Sequence, residues 1–179
     1  QFFHRYCYDA DNRLTNVFTS KDRFTWDQDA KYFYYHHGPL ARTEISDQKA
    51  QAMDYAYTLQ GWIKNVNSNI LDETLDLGID GAILSGNDNR NVGRDAYGYS
   101  LGYYSGDYSS ISANNSFIAS TSSITNTLLI PSDLFNGNIS EMVASTASGI
   151  VPPQRTVYTY DQLNRIRKMR AYRDISGNA

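Results

Sequence analysis

Four segments of this chain superimpose on one another, and that periodicity constrains the fold more tightly than any single residue does. They are Tyr6–Leu14, Tyr32–Leu40, Tyr55–Ile63 and Tyr158–Ile166. In each, two tyrosines stand two apart, a Gly or Asn falls six places after the first Tyr, and Leu or Ile falls eight places after it. Self-similarity of this kind marks one supersecondary unit used repeatedly, because a unit too small to bury its own apolar face stacks on copies of itself.

Residues two apart on a strand share a face, so Tyr6 and Tyr8, Tyr32 and Tyr34, Tyr55 and Tyr57, and Tyr158 and Tyr160 form same-side pairs. The next four residues have turn chemistry. Asp9 and Asp161 suit the first turn position, where a carboxylate accepts backbone N–H groups. Asn12, Gly38, Gly61 and Asn164 occupy the slot that needs positive φ in a bulged three-residue hairpin loop. Tyr35 and Thr58 replace Asp in the middle copies, while the positive-φ slot never drifts from Gly or Asn. After each turn the chain becomes β-prone again, so one unit reads as a β-hairpin of roughly 20 residues. A lone hairpin is marginal in water, and the units are therefore expected side by side in one sheet. Trp62 follows the Gly61 turn and joins the residues expected to shape the unit.

These residues resemble the Rhs/YD-repeat family, named for the Tyr-Asp dipeptide present here as Tyr8-Asp9 and Tyr160-Asp161. Asp54–Asn67 and Asp95–Tyr108 look like the form found in Bacteroidetes-type members. The resemblance covers about 1–66 and 135–179 well and the middle less specifically. It implies an all-β fold of tandem antiparallel hairpins, forming part of a β-shell that spirals around a C-terminal toxin or other cargo. Such proteins are secreted polymorphic toxins, insecticidal toxin complexes and cell-surface teneurins. The expectation is therefore a secreted or surface location and a containing wall, not an enzyme. The partners implied are adjacent YD repeats, an enclosed cargo and secretion machinery. The self-cleavage motif of the family, Asp-Pro-x-Gly, has no counterpart, since the chain contains no Asp-Pro.

Three segments are expected: hairpin repeats over 1–66, a loop-rich insertion with a degenerate repeat over 67–134, and a further repeat over 135–179. Within the first, Gln48–Tyr57 has some helix-favouring residues, yet the repeat register assigns it to a strand. Within the second, a short helix is expected near Leu71–Leu75, a degenerate repeat at Tyr97–Tyr104 and an exposed Ser/Asn/Thr loop over 105–127. Asn136-Gly137 signals a turn, followed by a strand over 138–145. With no initiator Met and no capping unit at either end, the sequence reads as a piece of a longer polypeptide.

Composition excludes more than it selects. The net charge is −3, and the basic run Arg165–Arg170 alternates between strand faces, which argues against a nucleic-acid groove. No apolar run approaches the roughly 18 residues of a membrane helix. The single Cys7 allows no internal disulfide, faces away from the tyrosines if on a strand, and has no nucleophile motif. His36-His37 falls in a turn without a third ligand at metal spacing. Asp9–Asn12 has acidic spacing like a calcium loop but lacks the Gly and the final acid such a loop needs. Asp72, Glu73, Asp76, Asp80, Asp88 and Asp95 supply carboxylates, with no pair marked out for glycosidase chemistry, so solvated loop acids are expected. No cofactor, metal or catalytic residue is expected. The alternative function is a surface module that binds a glycan or receptor. For that role Tyr103, Tyr104 and Tyr108, beside the polar loop, are the rings expected to be exposed for sugar stacking.

Overall fold

The structure is a computed structural model that describes residues 1–72, 75–84, 86–110, 131–147 and 152–172. Its ten strands form one antiparallel sheet in which every strand pairs with its sequence neighbours. They are β1 (Phe3–Tyr8), β2 (Leu14–Ser20), β3 (Asp27–Tyr34), β4 (Leu40–Ile45), β5 (Gln51–Tyr57), β6 (Ile63–Val66), β7 (Tyr97–Gly102), β8 (Glu141–Thr146), β9 (Gln154–Tyr160) and β10 (Ile166–Tyr172). The described residues contain no helix. Gln51–Tyr57 is strand, and its alternating burial shows why alternation outweighs helix propensity there. Glu73 and Thr74, the centre of the expected helix at 71–75, and 111–127 of the expected loop lie outside the described residues.

Each tyrosine pair ends the first strand of a hairpin, and the turn follows at once. Asp9, Tyr35, Thr58 and Asp161 each donate a backbone N–H across the turn, to the carbonyls of Arg13, Pro39, Trp62 and Arg165 at 2.8–3.0 Å. Their own carbonyls accept from Asn12, Gly38, Gly61 and Asn164, whose φ angles are 60°, 114°, 83° and 60°. A register shift accompanies every one of these turns, at Cys7/Tyr8, Phe33/Tyr34, Ala56/Tyr57 and Ile166/Lys168. One extra residue in a positive-φ conformation produces such a bulge, and Gly or Asn accepts it with the least strain.

The sheet continues through the loop-rich middle. β7 lies within 67–134 and pairs with both β6 and β8, so 67–134 adds two excursions to one sheet. The second excursion opens a hairpin turn. Gly137 has φ 85° and is followed by Asn138 and Ile139, the same order as Gly61, Trp62 and Ile63. Residues 103–140 therefore replace the short turn of the fourth hairpin, and β8 begins at Glu141, three residues later than 138.

Register assigns the faces. Tyr6 pairs with Val17, Tyr32 with Thr43, Tyr55 with Val66, Tyr99 with Ala144, and Tyr158 lies two places from Thr156, the partner of Met142. All of these fall on one side of the sheet. The opposite side presents Arg42, Glu44, Ala52, Asp54, Asn65, Gly98, Ser100, Glu141 and Ser145 in paired rows. The tyrosine side is half-exposed, with Tyr6, Tyr8 and Tyr97 at 52%, 59% and 39%, whereas the opposite side is buried along β4–β8. Cys7 pairs with Asn16 and faces away from Tyr6 and Tyr8.

Candidate functional site

Two arrangements recur along the sheet, one on each face. On the tyrosine face, the second tyrosine of the later unit fastens adjacent hairpins at three junctions, while between the second and third hairpins the Tyr35 hydroxyl donates instead to the Tyr55 carbonyl at 2.7 Å. The Tyr34 hydroxyl donates to the Leu14 carbonyl at 2.7 Å, Tyr103 to Ile63 at 2.8 Å, and Tyr160 to Ile139 at 2.8 Å. Leu14, Ile63 and Ile139 are the residues two places after each positive-φ turn residue. The residue between them then covers the ring: the Arg13 guanidinium sits 4.8 Å from the Tyr34 centroid, and the Trp62 ring lies 4.9 Å from that of Tyr103. A stiff ring contributes apolar area while its hydroxyl reaches a backbone acceptor, so one side chain satisfies both needs.

This corrects two expectations. Tyr103 is not an exposed sugar platform: it is 4% exposed, and burial pushes its hydroxyl pKa up to about 12. It takes the second-tyrosine slot of the fourth unit, four residues beyond Tyr99, so Tyr97 and Tyr99 are not that unit's motif pair. Tyr104 is partly covered by Phe135, with centroids 4.7 Å apart, and its hydroxyl accepts from Gln60 Nε2 at 2.8 Å. Tyr108 is half-buried. Proximity in sequence to a polar loop predicted exposure, but the strand register turned the ring onto the neighbouring hairpin.

His36 and His37 are exposed in the second turn, and the His37 ring stacks on Tyr35 at 5.3 Å. Asp9 accepts from the N–H groups of Asp11 and Arg13, both at 2.9 Å, and from Arg13 Nε at 2.8 Å. These bonds hold its carboxyl below the usual range, led by the Arg13 amide. Asp161 repeats the pattern with Leu163 and Arg165. Both aspartates fix turns.

Buried charges tie the excursions to strands and β8 to β9. Lys64, 1% exposed, meets Asp107 at 2.7 Å, and Asp107 also accepts the Tyr103 amide at 2.9 Å. Arg155 on β9 meets Glu141 on β8 at 2.6 Å. The largest group lies where 67–96 crosses β4 and β5. Arg42 reaches Glu44 at 3.4 Å and Asp80 at 2.6 Å, and it also pairs with Asp54. Lys49 meets Glu44 at 3.2 Å. Asp76 accepts the Asp80 amide at 3.0 Å. Asp54, Asp76 and Asp80 each present a carboxylate oxygen, all within 4.8 Å of one another, and all three residues are buried. A Cβ at Gly78 would meet the Arg42 guanidinium and the Asp54 carboxylate, so a side chain there would have to displace this ion pair.

Burial dominates the electrostatics here. It pushes the Asp54 carboxyl up to about 7, with Asp80 and Asp76 adding repulsion and Arg42 opposing it. Asp80 is raised for the same leading reason, and Asp95 is held well above the carboxylate range by burial and by Asp76. Asp76, Asp80 and Asp95 are thus not the solvated loop acids expected from composition, whereas Asp72 and Asp88 are exposed. Glu73 lies outside the described residues. Asp54 was missed because it precedes a motif tyrosine and reads as an ordinary strand residue. The signal was its alternation with Ala52 and Ala56 on the side away from Tyr55.

No protein-family model matches this chain, and no curated protein matches it.

Proposed function

We propose that this chain is a stretch of wall from a secreted or surface YD-repeat shell, serving to enclose a C-terminal toxin or other cargo. The observation that carries the reading is the repeated lock between hairpins, Tyr34 on Leu14, Tyr103 on Ile63 and Tyr160 on Ile139. A contact that recurs with the same donor slot and the same acceptor slot extends a sheet by addition of like units, as repeat arrays do. The sheet's edges favour the same reading. Among the described residues β1 and β10 are the edge strands and are largely exposed, the kind of edge that a further strand can extend. The work of such a wall is exclusion, for which continuity of hydrogen bonding matters more than any reactive group.

Electron cryo-microscopy of the complete polypeptide that carries this chain is the test. A closed shell of hairpins with protein density in its lumen supports the proposal. A flat or sandwiched sheet with no lumen refutes it.

A further inference from the structure

We propose that Asp54, Asp76 and Asp80, with Asp95 beside them, bind one hard divalent cation of calcium's size, which fastens the 67–96 excursion to β5. Three carboxylate oxygens within 4.8 Å of one another fit around a single ion, because calcium–oxygen distances of about 2.3–2.6 Å place opposite ligands roughly 5 Å apart. The donors are all carboxylate oxygens, with no histidine or thiolate among them, which favours a hard ion over a transition metal.

The second observation is the distribution of unsatisfied atoms. Asp80, 3% exposed, gives Oδ1 to Arg42 and leaves Oδ2 without a hydrogen bond. Asp76, 8% exposed, gives Oδ2 to the Asp80 amide and leaves Oδ1 without one. Asp95 Oδ1 is a third buried oxygen without a donor, lying against the Asp76 carboxyl. Buried acceptors are nearly always paired, so orphan oxygens in one cluster indicate a missing electrophile. Between described residues, Arg42 pairs with Glu44, Asp54 and Asp80, and Lys49 pairs with Glu44. Arg42 engages the opposite oxygen of Asp80 from the orphan one, which leaves room for both cations. The ligands come from β5 and from three points along the excursion, so the ion would act as a clamp on the buried face.

The test uses the full chain, stripped with a chelator and returned to calcium-free buffer. Calorimetric titration with calcium chloride at constant ionic strength is expected to show one saturable site per chain. At a hundredfold excess over Kd, Tm is expected to rise by roughly 5–10 °C. Asp76→Asn is expected to abolish both responses while melting, in chelator, no lower than the parent chain, because it replaces one of three crowded carboxyl groups with a neutral amide. Asp88→Asn, exposed on the same excursion, is expected to keep both responses. A parent chain with a β-sheet circular dichroism spectrum that takes up no calcium at about 10 mM, well above the weakest extracellular sites, overturns the proposal. So does an Asp76→Asn chain that responds like the parent, or an Asp88→Asn chain that loses the response equally.

Discussion

Single residues matter most where the backbone has no alternative. Gly61 sits at φ 83° with open space around its α-carbon, so a side chain there meets no neighbour and is opposed by backbone conformation alone. Gly61→Val is therefore expected to cost about 1–2 kcal/mol or somewhat more, measured by urea unfolding, because a β-branched residue resists the left-handed region. Asn12 and Asn164 occupy the same slot at φ 60°, so Gly61→Asn is expected to be nearly neutral in that assay. Loss of one interlocking hydroxyl is a smaller event. Tyr34→Phe and Tyr160→Phe are each expected to lose about 1 kcal/mol, since the ring packing survives and one carbonyl is left without its donor. Equal stability of all these variants would remove the turn and the hydroxyl from the list of forces holding adjacent units together.

Elements show how an excursion can cross a sheet without a large apolar core. Among the described residues, buried apolar side chains are few and, Tyr103 apart, small, namely Ala30, Ala52, Ala56, Val66, Ala82, Val92, Leu101 and Val143, and buried polar groups outnumber them. The backbone approaches the sheet closely instead. A Cβ at Gly98 of β7 would collide with the carbonyl of Ser68, and the next residues are held by Asn69 Nδ2 donating to Ser100 Oγ at 3.0 Å. Gly98→Val is expected to cost about 1–3 kcal/mol and to expose 67–72 to protease, read by limited proteolysis and mass spectrometry. The buried ion pairs act on the same scale. Lys64→Met leaves Asp107 charged and unpartnered by Lys64 in a site where it is 7% exposed, so a loss of about 3–5 kcal/mol is expected by chemical denaturation. Replacing both members by apolar residues is expected to recover much of that loss, which separates charge burial from packing.

At the scale of the whole molecule, protection is graded along the sheet. β5 through β8 have most of their residues buried or half-buried, whereas β1 and β10 are mostly exposed. Hydrogen exchange followed by mass spectrometry is expected to be slowest in β5–β8 and fastest in β1 and β10, because edge amides lack partners and apolar cover. Uniform protection across all ten strands would show that exposure does not set local stability here.

The hairpins were legible from residues alone because their determinants are local. A tyrosine pair two apart, a residue that tolerates positive φ and an aliphatic residue after it fix a strand, a bulged turn and a returning strand within nine positions. The split fourth unit hid from the same pattern, since more than thirty residues separate Tyr103 from Gly137 and only the long-range pairing of β7 with β8, from Tyr97↔Thr146 to Gly102↔Glu141, brings the two halves into register. Tertiary structure alone decided the charges. Asp54 is far in sequence from Asp76, Asp80 and Asp95, and their convergence depends on a crossing segment whose close approach is set by Gly78 and Gly98. Local geometry can be written into a short repeat, whereas proximity of like charges arises from long-range contacts that no fixed spacing encodes.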